Sequence, residues 1–250
     1  MRIGIMQRLL RIRDGVRDLL FPPRCAGCDE LLPPIGKDVF CPVCRASWET
    51  GRLVAIRRQT REPNDHLYYL VPYRSGRETG VPERFIYRVK HEGNARLFAF
   101  AAHTLAHGVQ IRIRGEGDEP SSRPLITYPP RRRAAISEDG FDQAARLAKA
   151  LAGSVNGDFA PLFRRTGRPT SEQKHLTAGR RRENATAAYA LKRRASHAVQ
   201  GRTVILCDDV CTTGATLTAC EEHLLAAGAA RVLWVTIAKT GEYGAEDRAT

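Results

Sequence analysis

The stretch that most restricts the fold is Val204–Thr216, V-I-L-C-D-D-V-C-T-T-G-A-T. Its four leading apolar residues, Val204 to Cys207, read as a short buried strand that ends at the acidic pair Asp208-Asp209. A Thr-Thr-Gly-Ala-Thr turn follows. A helical pattern then places Leu217, Cys220, Leu224 and Ala227 on one side, with Gly228 positioned to cap its C-terminus. A strand that leads through a polar loop into a helix leaves backbone N–H groups free to hold a phosphate. Gly214 allows close approach of the backbone, and the hydroxyls of Thr212, Thr213 and Thr216 add further hydrogen bonds to phosphate oxygens. Like charges repel, so Asp208 and Asp209 must face something other than that phosphate: sugar hydroxyls, a metal ion or a cationic group. An ordinary α/β turn that carries two aspartates is the plainer alternative. A phosphate at one end and a vicinal diol one sugar away describe a ribose 5-phosphate.

These thirteen residues resemble the 5-phosphoribosyl-1-pyrophosphate (PRPP) motif of type I phosphoribosyltransferases. By position, the resemblance implies that Asp208 and Asp209 take the ribose diol as the catalytic pair. It also implies that Cys211, Thr212, Thr213, Gly214, Ala215 and Thr216 take the 5′-phosphate. A second buried strand is expected at Leu125–Tyr128, with Pro129-Pro130-Arg131-Arg132-Arg133 as the loop at its end and a helix over Asp142–Ala152. Ligands of an open parallel sheet lie beyond the C-terminal ends of its strands, so this loop and the acidic turn are expected to be neighbours. The loop resembles a pyrophosphate loop in position, and Pro130, Arg131, Arg132, Arg133 and Lys90 are its candidate ligands. Guanidinium groups suit a diphosphate because each bonds two oxygens at once.

Cys25-Ala26-Gly27-Cys28 and Cys41-Pro42-Val43-Cys44 form two C-x-x-C knuckles twelve residues apart. Four thiolates at this spacing supply Cys25, Cys28, Cys41 and Cys44 as a closed tetrahedral set for structural zinc. The seven cysteines therefore speak for metal in a reducing, cytoplasmic setting rather than for a disulfide framework. Met1–Leu20 reads as a basic amphipathic helix packed on its own protein, with Ile5, Leu9, Ile12 and Val16 at helical spacing. No stretch approaches the length of a spanning helix. With 40 basic against 27 acidic residues, the net charge of +13 favours anionic partners: nucleic acid, phosphorylated metabolites or anionic membrane.

The rest of the 250 residues divides into expected units: helix 1–20, zinc ribbon 21–50, linker 52–66, an α/β domain 67–240 and a tail 241–250. Within the domain, a strand is expected at Leu67–Tyr73, a helix at Asn94–His107, a flexible insertion at 114–124 and a third strand at Leu162-Phe163. His103 and His107, one turn apart, are read as ordinary helix histidines. The polar segment 164–185 is rich in arginine and reads as a lid over the ligand, with a nucleic-acid arm as the competing reading.

Along nearly its whole length the chain resembles the ComF-like proteins named from bacterial DNA competence. The resemblance rests on F-P-P-R-C-A-G-C with C-P-V-C, on Lys90 and Gly93, and on Gly140-Phe141 with Gln143. It continues through Thr170, Gln173, Leu176, Arg181 and Asn184 to C-D-D-V-C-T-T-G-A-T. Asp139 and Asp142 depart from that pattern, where family members carry Arg and Asn. The resemblance implies an α/β fold with an open, mainly parallel twisted sheet of type I phosphoribosyltransferase type. A small N-terminal zinc-ribbon module, preceded by an amphipathic helix, completes it. It implies PRPP or another phosphoribosyl ligand bound with Mg2+, and a lid that includes Arg165, Thr170, Gln173, Arg181 and Asn184. Two functions follow from it. One is a phosphoribosyltransferase that releases pyrophosphate, in DNA uptake or nucleotide metabolism. The other is a non-enzymatic adaptor for single-stranded DNA that recruits a helicase partner through its zinc module.

Overall fold

The computed structural model describes residues 22–33, 38–61, 66–74, 80–114, 123–166 and 187–241. Helix 1–20, insertion 115–122 and most of the proposed lid lie outside these residues. Seven helices are described: α1 Pro42–Arg61, α2 Val81–His91, α3 Ala95–Arg114, α4 Arg133–Asp139, α5 Gln143–Ser154, α6 Ala195–Val199 and α7 Ala215–Ala226. The strands are β1 Leu67–Tyr73, β2 Leu125–Thr127, β3 Asp158–Phe159, β4 Phe163–Arg165, β5 Tyr189–Leu191, β6 Thr203–Cys211 and β7 Arg231–Thr240.

Five strands form one sheet in the order β1-β7-β6-β2-β3, and every pair in it is parallel. Alternation along the central strands fixes its two faces. Ile205, Cys207, Leu233, Val235 and Ile237 point to the core under α2, α3 and α5, while Val204, Leu206 and Val232 point to the core under α6 and α7. Helices therefore cover both faces, as an all-parallel sheet requires. No helix among the described residues is long and apolar enough to cross a membrane.

Two expectations change. Residues 52–61 are not linker but the second half of α1, which runs unbroken from the second cysteine knuckle. Its arginines conceal a buried side: Trp48 and Ala55 are fully enclosed. The Gln59 amide donates to Tyr69 O at 3.0 Å and accepts from Tyr69 N at 3.4 Å, completing the edge of β1. Phe163, in turn, does not enter the main sheet. It starts β4, which pairs antiparallel with β5 in a separate two-stranded hairpin.

The cysteine module is not a separate body. Phe40 and Trp48 pack in tilted and edge-to-face contacts with Phe85 and Phe100 at ring separations of 4.7 to 5.7 Å, inside the core that continues under the sheet. From α2, Arg84 donates to Gly27 O at 2.6 Å and Arg88 to Cys25 O at 2.9 Å, and Arg88 also pairs with Asp29.

Candidate functional site

Strands β2 and β6 are neighbours, but β2 connects onward to β3 on one side and β6 to β7 on the other. This is the switch point of an open parallel sheet, where a crevice opens beyond the strand ends. Pairing of β2 with β6 stops at Thr127 opposite Leu206, whereas β7 accompanies β6 as far as Cys211 opposite Lys239. The strand thus does not end at Cys207. It overhangs β2 by several residues, and Asp208 and Asp209 occupy the overhang, both half-buried.

Asp208 Oδ1 accepts from Asp209 N, and Asp209 Oδ1 from Val210 N, each at 2.9 Å. Burial, and then the neighbouring Asp209 and Asp142 charges, push the Asp208 carboxyl well above the usual carboxylate range. No cation among the described residues forms an ion pair with either aspartate.

The turn that follows has exposed Thr212 and Thr213, buried Gly214, exposed Ala215 and half-buried Thr216. Gly214 is the N-cap of α7 at φ +76°, a left-handed conformation that favours glycine, and a Cβ there would lie 3.2 Å from the Trp234 ring. Thr213 Oγ1 accepts from Ala215 N at 3.4 Å. At the far end, Ala229 N donates to Leu224 O and Gly228 N to Leu225 O, a Schellman closure with Gly228 at φ +87°. Leu217, Cys220 and Leu224 are buried as their spacing predicts.

Tyr189, which the sequence did not single out, also reaches the site. Its phenol accepts from Arg165 Nη1 at 2.9 Å, and its strand packs on α7. Burial raises its pKa, and the Asp208 charge adds to the rise. Arg165 stacks over the same ring at 4.9 Å. Strand β5 thus packs against α7, with β4 paired beside it. Thr170, Gln173, Arg181 and Asn184 lie outside the described residues. The signal for Tyr189 was slight, one aromatic in a three-residue strand.

Across the crevice, residues 129–133 follow β2. Pro130 and Arg131 are half-buried, and Arg132 and Arg133 are exposed, the latter starting α4. Arg131 Nη1 pairs with Asp139 Oδ2 at 2.6 Å and donates to Gln143 Oε1, while its backbone N donates to Asp142 Oδ2 at 3.1 Å. Hydrogen bonds from Arg131 and then Gln143 hold the Asp139 carboxyl below its ordinary value. Buried Gln143 also donates to Lys90 O at 2.6 Å, and Lys90 Nζ lies 5.3 Å from the Tyr73 ring centre. Phe141 packs on Gly93, which sits at φ +59° with no room for a Cβ. The separated motif residues Lys90, Gly93, Gly140, Phe141 and Gln143 thus meet at one corner.

The sulfur atoms of Cys25, Cys28, Cys41 and Cys44 all lie within 4.8 Å of one another. Cys28 and Cys41 are 3.7 Å apart, close to the edge of about 3.8 Å that a tetrahedron with ~2.3 Å Zn–S bonds would have. Gly27 N and Cys41 N donate to Cys25 Sγ at 3.4 and 3.2 Å. Burial alone would raise the Cys25 thiol, but N–H groups from Cys41, Cys28 and Gly27 outweigh it and bring the pKa to about 7. A Cβ on Gly27 would come within 2.6 Å of Cys44 Sγ. The donor set fits a structural metal ion. It is the one such cluster among the described residues, and exposed His103 and His107 form no part of it.

These features define an α/β protein with a ligand crevice at the switch point of a parallel sheet. Residues 134–250, just under half of the chain, match the family model described as a phosphoribosyl transferase domain. Over those residues the chain is phosphoribosyltransferase-like. No curated protein sequence matches the chain. Similar solved structures include a hypoxanthine phosphoribosyl transferase of Trypanosoma cruzi, at 17% identity and TM-score 0.38 over 57% of this chain and 64% of that one. A variant from the study of an invariant aspartic acid in HPRTs shows 17% identity and TM-score 0.37 over 57% and 67%. The allosteric regulatory enzyme of purine biosynthesis shows 13% and 0.37 over 60% of this chain and 30% of that one.

Proposed function

We propose that the crevice between β2 and β6 binds a 5-phosphoribosyl ligand, PRPP or a related ester. Asp208 and Asp209 hold the 2′- and 3′-hydroxyls, and Cys211 to Thr216 hold the 5′-phosphate. The observation that carries this reading is the half-buried acidic overhang of β6 beside a Gly214-capped helix N-terminus. An unneutralised carboxylate pair suits hydroxyl donors on one side, and free N–H groups suit an anion on the other.

Hard carboxylate oxygens suit Mg2+, which would be shared between Asp208 or Asp209 and the ligand and supply charge neutralisation there. The four cysteines suit Zn2+ in a structural role. If the site turns over, the C1–O bond breaks, pyrophosphate leaves with the bonding pair, and a nucleophile's lone pair forms the new bond to C1. Lys90, Pro130, Arg131, Arg132 and Arg133 stand on the side where the diphosphate would lie. Arg165, Thr170, Gln173, Arg181 and Asn184 are proposed to close over it.

The sequence resemblance to ComF-like proteins puts this binding in DNA uptake during transformation, or in nucleotide metabolism. A second reading, a single-stranded-DNA adaptor with a helicase partner, draws on the charge of +13. One comparison separates the two. Pyrophosphate release from PRPP and Mg2+ is followed across a panel of bases and amines, beside oligonucleotide binding at two salt concentrations, for wild type and Asp208→Asn/Asp209→Asn. Turnover abolished by the double change supports the transferase. Salt-sensitive DNA binding that survives it, without turnover, supports the adaptor.

A further inference from the structure

The loop that faces the acidic overhang carries a guanidinium already committed elsewhere. Arg131 Nη1 is held by Asp139 Oδ2 at 2.6 Å and by Gln143 Oε1. Gln143 is 2% exposed and is fixed in turn by Lys90 O. The second oxygen of Asp139 lies 3.5 Å from His91 Nδ1. The backbone N–H of Arg131, a natural anion donor in a loop at a strand end, is taken by Asp142 Oδ2. Asp142 is held in place as the N-cap of α5, accepting from Ala145 N at 3.1 Å. Asp142 therefore puts a carboxylate at the backbone donor of this loop.

On this side of the sugar, then, one guanidinium is neutralised, one backbone donor is occupied and a third carboxylate is added. A diphosphate brought to C1 would meet Asp142 and would have to displace Asp139 from Arg131. Breaking a hydrogen-bonded, partly enclosed charge pair costs far more than rearranging an exposed one. In the 5′-phosphate turn on the other side, Ala215 N donates to the neutral Thr213 hydroxyl rather than to a carboxylate. Thr212, Thr213 and Ala215 are exposed, and the sequence from Val210 to Cys220 contains no acidic residue.

Resting on the phosphoribosyl reading above, we propose that Asp139 is a specificity-determining residue: by latching Arg131 it makes the crevice select a 5-phosphoribosyl monophosphate ester, such as a nucleotide or ribose 5-phosphate, over a ligand with a diphosphate at C1. Asp139 acts through Arg131 and touches no ligand. PRPP is accepted only when the latch opens.

The test is isothermal titration of the full, zinc-loaded chain in Mg2+ with ribose 5-phosphate and with PRPP, for wild type, Asp139→Asn and Asp139→Ala. The two substitutions remove the charge with and without the side-chain shape, so a folding defect in one leaves the other to report. The wild type is expected to bind ribose 5-phosphate at least about threefold tighter than PRPP. Both variants are expected to gain about tenfold or more for PRPP while ribose 5-phosphate moves by less than about twofold, a split that general loosening of the fold would not produce. PRPP bound as tightly as ribose 5-phosphate or tighter by the wild type, or variants that leave the ratio unchanged, overturns the latch and leaves the phosphoribosyl site standing. Binding of neither ligand overturns that site, and the latch with it.

Discussion

Asp208 and Asp139 sit on opposite sides of one crevice and are perturbed in opposite directions. Burial and its acidic neighbours raise Asp208, so its folded-state pKa exceeds the unfolded value. The folded protein is then penalised as pH rises through the interval between the two values. Asp208→Asn is expected to stabilise the ligand-free protein by about 1 kcal/mol at pH 8 and by much less at pH 4. Urea unfolding at the two pH values checks this. Arg131 and Gln143 lower Asp139, so its contribution is complete above the usual carboxylate range and is lost as pH falls through the depressed value. Gly214 gives a third expectation at this scale. Gly214→Ala forces a side chain into φ +76° against Trp234. It should cost about 1–2 kcal/mol in unfolding experiments and weaken phosphate binding together with stability.

Among the elements, α2 connects the metal module to the crevice. Arg84 and Arg88 hold the backbone of the first knuckle, and Lys90 O, near the helix end, anchors Gln143. Trp48 and Phe40 extend the same core into the module. Removing zinc with a chelator is therefore expected to lower the melting temperature of the whole chain in one transition, rather than to melt a separate module first. Calorimetry with and without chelator distinguishes the two. Trp48→Ala should cost about 3–5 kcal/mol, measured by denaturant unfolding. The elements also show what a sequence can disclose. α7 was legible because its apolar spacing, glycine cap and threonine turn agree, and β1 was legible because its seven residues are a short run of aromatic and aliphatic side chains. The central strand β7 was not named: buried on both faces, its apolar run has no period to separate strand from helix. α1 was hidden by its arginines, whose stems cover apolar surface while their charges reach water. The acidic pair was expected where a strand ends, but it lies inside β6. Only the register with β7 shows that β6 continues past it.

At the scale of the molecule, the parallel order β1-β7-β6-β2-β3 decides where chemistry can occur. It brings together the ends of β2 and β6, more than eighty residues apart in sequence, while Arg165 of β4 and Tyr189 of β5 pair with each other beside α7. The neighbourhood of the two loops followed from sequence, because a strand–loop–helix pattern repeated in a parallel sheet leaves few arrangements. The Arg131–Asp139 pairing did not, since residues eight apart reveal no contact until a short helix turns the chain back. The central claim is that one crevice holds a sugar by its diol and by its 5′-phosphate together. It is tested most directly by titrating the full chain in Mg2+ with ribose 5-phosphate and with 2-deoxyribose 5-phosphate, for wild type and Asp208→Asn/Asp209→Asn. The account predicts that the wild type prefers the ribose compound by about tenfold, the scale of one hydrogen bond to a charged group, and that the double variant loses this preference. Equal affinity of the wild type for both sugars, or a preference that survives the double substitution, would contradict it.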